Sequence, residues 1–88
     1  MNKKELVEAL KKAQLVGSKD EIYKQHEQLA HWVSQVAPLL TDSDEHYTTF
    51  MDAAGKAMAR VSTDITIENI DIMRSTVDSA IVGLESEA

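Results

Sequence analysis

Between residues 20 and 40 the apolar side chains Ile22, Leu29, Val33, Val36 and Leu40 recur at helical spacing, with Ala30 and Ala37 beside them. At about 100° per residue they share one face, roughly a third of the circumference. Gln28, His31 and Gln35 fall opposite, so the spacing predicts a half-buried helix of about five turns. Three more stripes are available to cover it. Leu6, Leu10 and Ala13, with Val7 or Val16, mark a helix over residues 3–16, where Glu8 and Lys12 pair at i,i+4. Tyr47, Phe50, Met51, Ala54, Met58 and Val61 mark one over residues 44–62. Ile67, Ile70, Arg74, Val77, Ile81 and Leu84 alternate three and four apart, a heptad seam over residues 66–84.

Punctuation residues set the boundaries. Gly17 is a natural left-handed stop, and Ser18 with Glu21 forms a capping box, so the second helix covers residues 19–37. Pro38 lacks an amide donor and disfavours helical geometry at Ala37, which ends or kinks that helix while Leu39 and Leu40 turn inward. Asp42 with Glu45, or Ser43 alone, can cap the third helix. Gly55 in mid-helix costs roughly 1 kcal/mol against alanine, which predicts a close approach by another helix. Residues 64–68 alternate polar and β-branched side chains as a strand would. With no second strand to pair with, they read as a turn into the last helix, a short extended piece being the alternative. Residues 85–88 are expected to fray.

The fold class is therefore all-α: a small four-helix up-and-down bundle with a shorter first helix. Tyr23, Trp32, Tyr47 and Phe50 are the whole aromatic set, and 88 residues lie near the lower end of what folds alone. Such a lean core predicts a bundle completed or extended by homo-oligomerisation.

Composition narrows the function classes. The absence of cysteine excludes disulfides, thiolate chemistry and cysteine-ligated zinc. No apolar run approaches a membrane span, and residues 1–12 lack the apolar core of a signal peptide, so a cytoplasmic protein is expected. The net charge of −6 is uneven: residues 1–24 carry +2 and residues 25–88 carry −8. Phosphate backbones repel that balance, so direct nucleic-acid binding is not expected outside the first helix.

No cofactor or metal motif survives inspection. His26 and His31 come close to a zinc-protease signature, but five residues apart they stand about 140° apart on a helix and cannot grip one ion. His26 reads as a hydrogen-bonded core histidine, and His31 and His46 as solvent-facing. Gly55-Lys56 lacks the upstream glycine and following hydroxyl of a phosphate loop. Thr48, Thr49, Ser62 and Thr63 have no paired base or glycine elbow nearby, and no carboxylate pair is set apart by apolar surroundings, so no enzyme is expected.

Two features stand out. Arg74 interrupts the heptad seam and must pair with Asp71, Asp78 or an acid of a neighbouring helix, or face a partner. Ile65 and Ile72 lie opposite the seam, and with Trp32 on the flank of the second helix they form apolar surface beyond one core's needs. These residues predict a non-enzymatic acidic protein that regulates, adapts or inhibits a larger macromolecule through protein–protein contact. Its size and charge are similar to those of phage-encoded inhibitors of host enzymes, a likeness of composition with no motif behind it. Two alternatives are a helical oligomer sequestering an anionic small molecule such as a signalling nucleotide, held by Lys3, Lys4, Lys11 and Lys12 with Arg74 across a subunit boundary, and an acidic nucleic-acid mimic.

Overall fold

A computed structural model describes residues 2–86. The chain is all-α: α1 (Lys3–Gly17), α2 (Asp20–Lys24), α3 (His26–Val36), a 3-10 turn (Ala37–Leu40), α4 (Asp44–Ala59) and α5 (Thr63–Ser86). No strand occurs among the described residues, and residues 64–68 lie within α5. The last helix starts three residues earlier than its seam predicted and runs on through Glu85 and Ser86, where fraying was expected; Glu87 and Ala88 lie outside the described residues.

α4 and α5 form a hairpin with the largest contact in the molecule. α1 runs antiparallel to α5: Lys11 meets Glu85 at 3.2 Å, and Gln14 reaches back to Asp78 at 2.6 Å. α3 touches both α1 and α4. That two-sided cover buries Leu29, Trp32, Val33 and Val36, a wider arc than a single stripe provides.

Trp32 is the largest departure from the sequence expectation. It is 0% exposed, not a surface anchor. Its indole N–H donates to the Ala13 carbonyl at 2.8 Å, and Phe50 meets its ring edge-on at 5.6 Å between centroids. Gly17 serves the same junction. It is not left-handed; a Cβ there would lie 2.5 Å from Trp32 Cζ2 and 2.8 Å from Cε2. The glycine is required because an indole lies against its backbone. Ser18 likewise does not cap the next helix: its hydroxyl donates back to the Leu15 carbonyl at 2.9 Å.

The long helix expected over residues 19–37 is two helices. Gln25 is extended (φ −115°, ψ 119°); its N–H closes α2 on Glu21 and its carbonyl opens α3 to Leu29. Residues 24–28 are all exposed, so packing does not enforce continuity there. His26, expected in the core, lies in this exposed stretch. The break turns α2 so that Ile22 is buried and Tyr23 reaches α5.

The 3-10 turn containing Pro38 ends α3 and buries Leu40. Ser43 caps α4 by accepting from the His46 amide at 3.3 Å. α4 packs through Phe50, Ala53, Ala54 and Ala57, small side chains that let α5 come close. It stops at Ala59, where Arg60 is left-handed (φ 49°, ψ 46°), earlier than the expected residue 62. Val61 therefore leaves the helix face entirely and is 75% exposed, while Tyr47 turns outward.

On α5 three polar side chains join the buried face. Thr66, Asn69 and Thr76 are buried; each donates to the carbonyl four residues earlier, at 2.8–2.9 Å. Self-satisfied in this way, they need no partner across the core. Ile70, Met73, Val77, Ala80 and Ile81 complete the buried face, and Ile67 of the expected seam is exposed.

Gly55, where a close helix approach was expected, faces open space: a Cβ there would meet nothing within 4 Å. Gly55→Ala should raise stability by about 0.5–1 kcal/mol, readable as a higher urea midpoint. A loss would mean that the position is covered.

Candidate functional site

Of the residues singled out as an apolar surface, Ile65 and Ile72 remain and Trp32 leaves. The isoleucines are 39% and 40% exposed and stand one heptad apart on the α5 face that turns away from α1 and α3. α4 supplies the other wall of this face. Around Ile65 a shallow groove of about 400 Å³ is lined by Met51, Asp52, Gly55, Lys56, Ala59 and Val61. Around Ile72 a second groove of about 530 Å³ is lined by Glu45, His46, Thr49, Glu68, Asp71 and the serines Ser75 and Ser79. His46 is half-buried here, not solvent-facing. The two grooves follow one another as a strip along the hairpin, one around each isoleucine, and share no lining residue. Glu45, Glu68 and Asp71 line its Ile72 end with no lysine or arginine, while at the Ile65 end Asp52 and Lys56 pair at 3.2 Å.

Arg74 lies elsewhere, on the side of α5 that faces α2. Its guanidinium donates to the Tyr23 hydroxyl at 2.9 Å, and that hydroxyl donates to Asp71 at 2.8 Å. Gln14 closes the same junction from α1 through the Arg74 carbonyl at 2.9 Å and the Asp78 carboxylate. Arg74 thus ties three helices together, with a tyrosine as its direct partner and Asp71 and Asp78 as nearby opposite charges. The bond to Tyr23 raises its pKa further.

Burial raises the Tyr23 hydroxyl pKa; the Arg74 donor opposes this and the bond to Asp71 reinforces it. A native value above the unfolded one, near 10, gives the folded state the firmer hold on this proton. Stability from this group is complete below pH about 10 and falls as pH rises through the native value. Tyr23→Phe should cost about 1 kcal/mol at neutral pH and flatten the alkaline decline of the melting temperature. An unchanged alkaline slope would show that other groups carry it.

The lysines do not join Arg74 in one basin. Lys11 is paired with Glu85 near the far end of α5, and Lys12 is exposed on α1. His26 and His31 are both exposed on α3, and among the described residues no three His, Asp or Glu side chains converge on a common point. No helix among them is long and apolar enough to cross a membrane.

Sequence reasoning missed Gly55, Ala59, Ser75 and Ser79 as the small-residue floor beside the isoleucines. A second stripe on α5, running Ile65, Glu68, Ile72, Ser75, Ser79 at spacings of three and four, was the available signal. Tyr23 as the partner of Arg74, 51 residues away, leaves no local signal. No family model, curated protein or solved structure is significantly similar to this chain.

Proposed function

We propose that this chain is a non-enzymatic interaction protein that regulates or blocks a larger macromolecule through the outer face of its α4–α5 hairpin. One observation carries the reading: α5 buries Thr66, Asn69 and Thr76 while leaving Ile65 and Ile72 about 40% accessible. Covering the remaining two-fifths of each isoleucine is worth roughly 0.6–1.2 kcal/mol, so a helix that leaves two isoleucines part-open while burying three polar groups holds apolar surface ready for a second contact beside its own core. In this reading α1, α3, α4 and α5 are the four members of an up-and-down bundle, and α2 is a strap across one end. The acidic surroundings of Ile72 steer encounter with a basic partner. The sequestering oligomer, which needs Arg74 across a subunit boundary, has weaker support, since Lys11 already pairs with Glu85 and Arg74 with Tyr23.

The test is photo-crosslinking in the native cell with a benzophenone side chain at position 72 and, as control, at position 19 on the exposed α1–α2 corner. A discrete adduct from position 72 alone is the expected result. Adducts absent at 72, or equal at both sites, would reject this face. Sedimentation of the purified chain then separates a second copy, which the lean core suggested, from a different protein as occupant.

A further inference from the structure

We infer that the outer face of the α4–α5 hairpin receives a basic amphipathic helix from a different protein, laid along α5 over Ile65 and Ile72. This rests on the interaction reading above and names the partner's chemistry.

Shape selects a helix. Ile65 and Ile72 stand as two ridges, with Gly55 and Ala59 of α4 and Ser75 and Ser79 of α5 as the low ground beside them. From Ile65 to Ser79 this strip runs about 20 Å, room for about four turns. An extended peptide gains its affinity from an open sheet edge, and the described residues contain no strand. A helix brings its backbone bonds already made and needs only side-chain complementarity.

Charge selects the sign. Glu45, Glu68 and Asp71 line the groove around Ile72 with no lysine or arginine, and Lys56 at the Ile65 end is already paired with Asp52. A two-fold contact with a second copy centred between the isoleucines would set Glu68 against its own image. The lysine-bearing α1 of another copy fits poorly, because Leu15 is its one exposed bulky apolar side chain and cannot match two isoleucines a heptad apart. A foreign helix with lysine or arginine flanking an i, i+3, i+4, i+7 apolar stripe meets both demands.

The probe is a synthetic helical peptide of about 18 residues, leucine on one face and lysine elsewhere, with a twin carrying glutamate for lysine. The lysine peptide should saturate the purified chain one-to-one, moving amide resonances over residues 52–59 and 65–79, and the glutamate twin should not bind. Ile72→Asp should weaken binding on the order of tenfold. That change adds negative charge, so non-specific attraction would strengthen binding instead, and tighter binding overturns the inference. Glu45→Gln with Glu68→Gln should weaken it several-fold at low salt and less at high salt. Ile72→Ser repeats the test without a charge should the aspartate variant melt early. If the free chain sediments as a dimer that Ile72→Asp splits, the occupant is a second copy; the foreign-helix inference fails and the interaction reading stands. If neither the peptide nor self-association touches this face and position 72 gives no crosslink, both fail.

Discussion

Trp32→Ala is expected to leave little folded protein at physiological temperature. The ring is fully enclosed among α1, α3 and α4, so truncation costs about 3–5 kcal/mol through lost burial and a residual cavity. The Ala13 carbonyl also loses its indole donor. A chain of this length holds about 4–13 kcal/mol in total. The melting temperature should therefore fall by on the order of 20 °C, measured by circular dichroism. Trp32→Phe should fall between, keeping a ring and giving up the hydrogen bond. A wild-type melt for the alanine variant, with only assembly altered, would return Trp32 to the surface.

Gly17→Ala is expected to destabilise, against the usual sign for glycine in a helix. Propensity alone favours alanine by about 1 kcal/mol. Opposing it, the new Cβ would lie 2.5 Å, 2.8 Å and 3.2 Å from three carbons of a ring that has nowhere to go. Overpacking of this kind typically costs 1–3 kcal/mol, so the clash wins or at least cancels the gain. Gly55→Ala is the internal comparison, the same exchange over empty space. If both variants gain stability alike in urea titrations, the indole is not held against residue 17.

These two glycines also mark where sequence reading worked and where it stopped. Local signals were legible: Leu6, Leu10 and Ala13 on α1, Pro38 closing α3 and Ser43 opening α4 all act within a few residues of themselves. Gly17 was read as a turn residue because its true reason, Trp32, lies fifteen positions away. Trp32 was misplaced because a one-sided stripe was assumed for a helix covered from two sides. Val61 is exposed because the left-handed Arg60 ends α4 before it, and propensity gives no warning of an arginine in that geometry. On α5 the seam residues Ile70, Val77 and Ile81 are buried, and Ile67 is not. Thr66 and Thr76, which that seam leaves out, are buried with their hydroxyls bonded to the preceding turn, while Ile65 and Ile72, placed opposite the seam, are part-exposed and make the candidate face. Ile65 and Ile72 were legible as surplus; the acidic groove around Ile72 was not, because it combines two helices.

The enclosed indole has one more consequence, for how the molecule can be watched. Trp32 is the chain's sole tryptophan, so its intrinsic emission comes from one place, the joint where α1 lies across α3. Release of the first helix would wet the ring and shift its light to longer wavelength while the α4–α5 hairpin still gave a full helical signal. An optical reporter of that single docking event is built into the sequence, and it lies on the side of the protein away from the isoleucines.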